Sequence, residues 1–284
     1  MYVRIVADST CDLTKEQIQK NGITILPLYV TMDGKSRRDG LEITAEEIFR
    51  YVDEGGELPK TSALTVADFS DCFAKIRQED QEAEILCITI SSHFSSCFQN
   101  ACIAAEEAEG KVVAVDSLNL SSGFGHVVLE ACRLANKGLS AEEIKKELET
   151  DIIPKVDASF IINRLDYLRK GGRCSTVAAL GANLLRLKPC IEVRDGKMSV
   201  GKKYRGNFVK CVSQYVQDRL ADIDSIRSQR IFITHANAEN EAVKAAEKEI
   251  RAAGAFDEIA ESRAGCTIAS HCGPNTLGVL FIRK

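Results

Sequence analysis

Residues 84–117, EILCITISSHFSSCFQNACIAAEEAEGKVVAVDS, decide the fold class of this chain. The first seven residues, EILCITI, form an uninterrupted apolar run, which is typical of a strand buried on both faces. The segment SSCFQNACIAAEEA has helical periodicity, and KVVAVDS is a second buried strand. This order of strand, helix and strand predicts an α/β domain with a largely parallel sheet.

The residues before this stretch continue the alternation of strands and helices. YVRIVAD at 2–8 predicts a strand, and TKEQIQKNG at 14–22 predicts a helix with Thr14 and Gln17 at capping-box spacing. ITILPLYVTMDG at 23–34 is a second extended run, in which Pro27 indicates an edge strand or a bulge. Two further helices are predicted, at 44–56, where Thr44 and Glu47 form a capping box, and at 65–78.

After residue 117 the predicted pattern of strands and helices continues, and it changes near Pro154. Helices are predicted at 123–138 and at 140–154, the second with Ser140 and Glu143 as its capping box. Asp195-Gly196 then sits in an alternating segment and predicts a β-hairpin, so antiparallel pairing enters the second half. Strands at 158–165, 230–236 and 277–283 and a helix at 240–254 complete a mixed α/β pattern. We predict two domains, residues 1–156 and 157–284.

Composition limits the classes of function. The 284 residues are 45% hydrophobic and 27% charged, which is typical of a globular chain. A net charge of −4 offers no overall field for DNA, RNA or anionic lipid, so no nucleic-acid partner is expected. No apolar run approaches the roughly 20 residues that span a bilayer, so no stable membrane insertion is expected. The eleven cysteines include no C-x-x-C pair, and without a visible signal peptide we predict reduced thiols in a cytoplasmic protein.

Polar residues cluster directly after the predicted strands, where open α/β sheets bind ligands. Ser91, Ser92, Ser95 and Ser96 follow a buried strand and open a helix. Hydroxyls and free backbone N–H groups at a positive helix end suit an anion. The alternative is that Ser92 or Ser95 only caps the helix. Thr61 and Ser62, in KTSALT, lie in a predicted loop before a helix, where hydroxyls usually satisfy local backbone groups.

His271 and Cys272 are sequence neighbours, which raises the question of a nucleophile beside its base. A catalytic Cys/His pair usually meets through the fold, and in a strand these two side chains would point to opposite faces. His271 could instead donate an N–H to a carboxylate or phosphate, or be a structural residue. His235, at a strand end, has a weaker claim to such a role.

Two enzyme classes serve as alternatives. A serine or cysteine hydrolase would use Ser95 or Cys272 with His271, but the chain has no G-x-S-x-G elbow and no identifiable orienting acid. A nucleotide-binding enzyme would need a phosphate loop, and neither the P-loop pattern nor a Rossmann glycine set follows the first strand.

An ordered set of motifs spans nearly the whole chain and resembles the DegV family of bacterial fatty-acid-binding proteins. The motifs are VADSTCDL, KTSALT, ISSHFSSCFQNA, VDSLNLSSGFG, RLDYLRKGGR and HCGPNTLGVLF. The resemblance implies a two-domain α/β protein without a cofactor, which binds one long-chain fatty acid, such as palmitate or oleate, in an apolar tunnel. The carboxylate would lie between the domains, and a fatty acid kinase would phosphorylate it to an acyl-phosphate for phospholipid synthesis.

The resemblance also assigns residues. It implies that Thr61, Ser62, Ser95 and His271 bind the carboxylate, that Cys272 has no role, and that the protein itself is not an enzyme. Two basic segments would meet the kinase, and the alternative for them is a solvated charged face. Their residues are Arg169, Arg173, Lys202, Lys203 and Arg205. The chain departs from the family pattern at Ser96, Cys97, Phe98 and Leu64. It also departs from it at Asn275, a position where the family commonly has glycine.

Overall fold

The computed structural model describes residues 3–178, 187–254 and 256–284. The strands, in chain order, are β1 (Val3–Asp8), β2 (Thr24–Leu26), β3 (Tyr29–Met32), β4 (Lys35–Arg38), β5 (Lys60–Ser62), β6 (Glu84–Thr89), β7 (Val112–Asp116), β8 (Val156–Ile162), β9 (Leu187–Arg194), β10 (Lys197–Arg205), β11 (Ile226–Ala236), β12 (Ile259–Arg263) and β13 (Thr276–Arg283). The α-helices are α1 (Lys15–Asn21), α2 (Ala45–Asp53), α3 (Val66–Glu79), α4 (Cys97–Glu107), α5 (Ser121–Ala135), α6 (Ala141–Glu147), α7 (Leu165–Gly171), α8 (Ser175–Ala178), α9 (Phe208–Arg219), α10 (Asn240–Ala253) and α11 (Cys266–Cys272).

The first half of the chain forms a four-stranded sheet in the order β2-β1-β6-β7. All three pairings in this sheet are parallel. Every residue of β6 is buried, as the uninterrupted apolar run predicts. These observations confirm the predicted α/β class and the largely parallel sheet.

The capping boxes read from the sequence are present at the starts of α1, α2 and α6. At α1, Thr14 accepts the N–H of Gln17, and the Gln17 side chain accepts the N–H of Thr14. The boxes of α2 and α6 have the same reciprocal geometry. A cap of this kind contributes roughly 0.5–2 kcal/mol of stability, so the sequence locally fixes where these helices begin.

The second half contains a six-stranded mixed sheet in the order β10-β9-β8-β13-β11-β12. Only β11 and β12 pair in parallel among these neighbours. The hairpin of β9 and β10 turns at Asp195 and Gly196, which have φ angles of 49° and 76°, in the left-handed region that tight hairpin turns require. The predicted hairpin and mixed second half are therefore confirmed.

The extended run at 23–34 is extended as predicted, but it divides at Pro27 into two strands that belong to two sheets. β2 is an edge strand of the parallel sheet, whereas β3 is the centre of a small antiparallel sheet in the order β4-β3-β5. Pro27 lies between them and has no N–H to continue a ladder, which explains the break. Val30 of this small sheet shares a buried core with Ile162 and Tyr167 of the second half.

The predicted domain boundary falls at the start of β8. All strands of the six-stranded sheet come from residues after 155, although the small sheet of residues 29–62 packs against them. The division into two domains stays a prediction. All eleven cysteines are free thiols in this structure, and nine are buried. In the part of the chain that the structure describes, no helix has both the length and the apolar character to cross a bilayer.

Candidate functional site

One face of the six-stranded sheet forms the floor of a cavity. Thr276, Gly278 and Leu280 alternate along β13 and line this cavity. Their partners across the ladder are Ile162, Phe160 and Ala158 of β8, and the last two also line the cavity. Because side chains two residues apart share a face of a strand, the cavity runs along the direction of β8 and β13.

Gly278 lies in the middle of this floor. A side chain there would place its Cβ 2.6 Å from the carbonyl oxygen of Ser159 and 3.1 Å from the Cβ of Phe160. Only glycine fits such a close approach of neighbouring strands.

The roof of the cavity includes α11, which presents Thr267, Ile268, His271 and Cys272 to it. Their spacing places them on one face of a helix. His271 and Cys272 therefore lie on a helix and face the same cavity, whereas in a strand they would point to opposite faces. Gly265 and Gly273 bracket this helix, and Gly273 has a φ of 75°, so a C-terminal glycine signal for a helix was present in the sequence.

Most of the remaining lining is apolar. It comes from both halves of the chain and includes Leu28, Ala63, Ile90, Phe94, Leu120, Leu168, Val193, Met198, Ala236 and Ala264. The cavity has a volume of about 90 Å³. A slim apolar ligand with a small polar end matches such a lining better than a sugar or a nucleotide does.

The four residues predicted to bind a carboxylate, Thr61, Ser62, Ser95 and His271, all line this cavity. Thr61 and Ser62 are on β5 and not in the predicted loop, because they pair with Val30 and Tyr29 of β3. The strand places Thr61 beside α11.

Thr61 and His271 are in direct contact, with 2.8 Å between Thr61 Oγ1 and His271 Nε2. Burial, and secondarily the positive charge of Arg173, lower the pKa of His271 to about 4. The imidazole is therefore neutral near pH 7. With its proton on Nε2, it donates to Thr61 and leaves the threonine hydroxyl hydrogen free for a ligand oxygen.

The end of α7 lies against the other edge of the imidazole. A side chain at Gly171 would place its Cβ 2.5 Å from His271 Nδ1, so the absence of a side chain makes room for the ring. His271 Nδ1 is buried and has no hydrogen-bond partner among the described residues. Arg173, which also lines the cavity, donates to the carbonyl of Gly171 at 2.9 Å. Sequence reasoning assigned Arg173 to partner docking and missed this position.

Ser95 combines two roles that the sequence left as alternatives. It precedes α4, and its Oγ accepts the backbone N–H of Cys97 at 3.3 Å, so it helps to cap the helix. It is also the one of the four predicted serines that lines the cavity. Ser91 is buried and donates to the carbonyl of Gly196 at the hairpin tip, at 2.9 Å.

The arrangement does not provide the nucleophile and base that a hydrolase would need from Ser95, Cys272 and His271. The Cys272 thiol donates to the carbonyl of Ile268 at 3.0 Å, and burial raises its pKa to about 12. Ser95 Oγ donates to the sulfur of Cys97 at 3.2 Å. His271 bonds to Thr61 instead, and no acid orients its Nδ1 within the described residues.

His235 also lines the cavity, and its ring nitrogens are already engaged. Nε2 lies 3.2 Å from Glu261 Oε1, and Nδ1 accepts the N–H of Ala238 at 3.3 Å. His235 therefore lines the cavity, but neither of its ring nitrogens is free to donate to a ligand.

Two aspartate side chains of the first half accept hydrogen bonds from the backbone at the start of α11. Asp39 accepts the N–H groups of Cys266 and Thr267 at 2.7 and 3.0 Å. Asp12 accepts the N–H of Gly265 at 2.8 Å. These contacts position the helix that carries His271, and the negative charge of Asp39 is favourable at the N-terminus of that helix.

The two predicted basic segments lie side by side. The Cys174 thiol contacts the carbonyl of Met198 at 3.7 Å, and the N–H of Val200 donates to Thr176 at 3.0 Å. Arg169, Arg173, Lys202, Lys203 and Arg205 are all exposed. Lys202 pairs with Asp218 at 2.6 Å.

Comparison with known proteins identifies the family of this chain. Residues 2–284 match a family model described as "Uncharacterised protein, DegV family". The chain belongs to the DegV family. It is 39% identical to a DegV domain-containing protein of Clostridium acetobutylicum, over 99% of both chains.

Two other DegV relatives carry a functional description. A protein of Thermotoga maritima named "Fatty acid-binding protein" is 31% identical over 98% of this chain and 96% of its own. A solved structure of a DegV family protein from Thermus thermophilus, described by its fatty acid binding, superimposes with a TM-score of 0.91. It is 31% identical and covers 100% of both chains.

One departure from the DegV pattern has a clear structural basis. Asn275 has a φ of 56°, in the left-handed region where asparagine is the best substitute for glycine. Its side-chain oxygen accepts the N–H of Glu239 at 3.0 Å, which adds a contact that glycine lacks.

Proposed function

We propose that this chain binds one long-chain fatty acid, such as palmitate or oleate, and presents its carboxylate to a fatty acid kinase. The observation that carries the proposal is the division of one cavity into a long apolar part and a polar end. At that end Thr61 and His271 are in contact, and Ser62 and Ser95 line the same cavity. A fatty acid needs this pairing of a dry channel with a few fixed donors.

The tail supplies most of the binding free energy. Burying ~15 methylenes at about 0.8 kcal/mol each contributes on the order of 12 kcal/mol, before the losses from ordering the ligand. Each neutral hydrogen bond to the carboxylate adds far less. The donors therefore fix the position of the head group more than they determine the affinity.

The polar end of the cavity is also its open end. Ser62 and Arg173 line the cavity, and both residues are exposed. A carboxylate held there is accessible to a second protein and would meet the neutral hydroxyl groups of Thr61, Ser62 and Ser95. In the proposed transfer, a carboxylate oxygen attacks the γ-phosphorus of ATP on the kinase, and ADP leaves.

The basic segments support the proposed kinase contact. Arg169, Arg173, Lys202, Lys203 and Arg205 are exposed and would form a charged surface, of which Arg173 borders the cavity. Such a surface would steer a partner that carries complementary acidic groups.

Native mass spectrometry of protein purified from a bacterial host tests the binding proposal. The expected result is a mass increase of one fatty acid per chain, which organic extraction removes and identifies. Protein that is recovered without ligand and then fails to take up palmitate or oleate would contradict the proposal.

A further inference from the structure

A cross-strand pair closes the end of the cavity that is distant from His271. Ala158 of β8 lies directly opposite Val193 of β9. Both side chains are buried, with 2% and 5% of their surface exposed. Both residues line the cavity, and both also line a separate cleft on its other side. Ala158 and Val193 therefore form a wall, one residue pair thick, between the cavity and the cleft.

The register of β13 and β8 gives the position of this wall along the cavity. Thr276 pairs with Ile162, and its hydroxyl donates to the carbonyl of Cys272 at 2.9 Å, which ties this end to α11. Leu280 pairs with Ala158, four residues further along the strand. Four residues of extended chain span about 13 Å, so Ala158 lies well away from the polar end.

The cleft behind the wall is charged. Arg283 pairs with Asp157 at 2.6 Å, and Arg219 pairs with Glu192 at 3.0 Å. Their neighbours around the cleft include Asp116, Glu149, Lys155, Arg194 and Asp195. A hydrocarbon chain that entered this cleft would leave its apolar surroundings and meet paired ions and water.

The loop before α5 forms the third side of the wall. Leu118 and Asn119 line the cleft, whereas Leu120 and Ser121 line the cavity. A side chain at Gly123 would place its Cβ only 3.0 Å from the Cβ of Ala158, so the first turn of α5 already packs closely against the wall.

We propose that Ala158 and Val193 stop the methyl end of the bound acyl chain and thereby set the longest fatty acid that fits. This inference rests on the proposed function, because it assigns the tail end of the same ligand. A longer chain must either buckle within the cavity or displace the pair and enter the charged cleft. Both outcomes forfeit apolar burial.

Fluorescence displacement with lauric, myristic, palmitic, stearic and arachidic acids tests the wall. Ala158→Val enlarges a wall side chain towards the cavity, and the preferred acid should become shorter by one step of two carbons. Val193→Ala opens the wall, and the preferred acid should become longer. The ratio of affinities for acids one step apart should change roughly tenfold, as expected for two methylenes.

Val115→Ala is the matched control for Val193→Ala. Val115 is fully buried in β7 and is not part of the cavity lining, so its truncation should leave the preferred chain length unchanged. The ratio of affinities for two fatty acids, measured with the same variant, does not depend on how much of the sample is folded. An unchanged preference in both wall variants, with binding retained, would overturn the role of the wall alone. Failure of the unmodified protein to bind any of the acids would overturn the proposed function as well.

Discussion

The carboxylate of Asp39 accepts the backbone N–H of Cys266 at 2.7 Å, so a residue of the first half caps the helix on which His271 lies. The same carboxylate accepts the N–H of Thr267 and the hydroxyl of Ser9. The position of the imidazole therefore depends on a contact between distant parts of the chain, and this dependence can be tested.

Asp39→Ala should destabilise the protein and weaken fatty-acid binding together. Removing a helix cap reduces the free energy of unfolding by about 0.5–2 kcal/mol, and the buried N–H groups left unpaired add to this. Urea unfolding and ligand displacement would measure the two effects. Ser140→Ala is the matched control, because it removes the cap of α6 and should lower stability without changing affinity.

Ser95→Ala and His271→Ala should each weaken fatty-acid binding without abolishing it. Ser95→Ala removes a hydroxyl group from the cavity lining, and His271→Ala removes the imidazole that donates to Thr61. Each loss is worth roughly 0.5–3 kcal/mol, while the apolar burial of the tail remains. Cys272→Ala removes no group assigned to the carboxylate, so it should reduce fatty-acid affinity less than the other two substitutions do. Unchanged binding in a double alanine variant of Ser95 and His271 would show that the carboxylate lies elsewhere. Ester hydrolysis lost only in Cys272→Ala would support the hydrolase alternative.

Asp12 should make the stability of the protein fall as pH rises. Burial, and secondarily the charges of Asp39 and Asp8, raise the pKa of Asp12 from its ordinary 3.8 to about 8, against the lowering effect of its bonds to Ser121 and Gly265. The folded protein thus binds a proton that the unfolded chain releases, and stability is lost between about pH 4 and pH 8.

Asp12→Asn mimics the protonated acid and removes this proton linkage. Urea unfolding of both proteins across this pH range should show the variant gaining stability relative to the unmodified protein as pH rises. A difference that stays constant with pH would contradict the raised pKa. Asp8 remains in both proteins, so its own titration largely cancels in the comparison.

Arg205→Ala should leave fatty-acid affinity intact and reduce acyl-phosphate formation by a fatty acid kinase with ATP. Arg205 is exposed near the end of β10 and is not part of the cavity lining. Loss of a docking charge mainly slows association and lowers its dependence on salt. Arg251→Ala, an exposed arginine of α10, is the control and should change neither measurement. Equal phosphorylation by both variants would remove Arg205 from the docking surface.

Local signals in the sequence predicted most elements of the fold. The capping boxes of α1, α2 and α6 and the left-handed turn at Asp195 and Gly196 depend on residues within a few positions of each other. Such patterns can be predicted because the residues that form the contacts are close together in the sequence. The buried strand β6 was equally clear, because a continuous apolar run has few alternatives.

The elements that the sequence did not predict depend on distant partners. β5 is three residues long and exists through its pairing with β3, so KTSALT alone resembles a loop. α11 is seven residues long and receives its cap from Asp39, far away in the chain. Only the family resemblance grouped Thr61, Ser62, Ser95 and His271, which line one cavity. Their binding of a carboxylate stays a prediction. Arg173 was placed on a surface, since no local pattern reveals that it borders the cavity.

The place of β13 in its sheet has a consequence for biosynthesis. This strand lies between β8 and β11, which are both made earlier, so the ribosome completes the outer strands of the sheet before the strand that joins them. Until residues 276–283 have emerged, the floor of the cavity is missing, and Ile161, Ile233 and Phe281 cannot be buried together. A nascent chain therefore has no enclosed space for an acyl tail until β13 has been inserted.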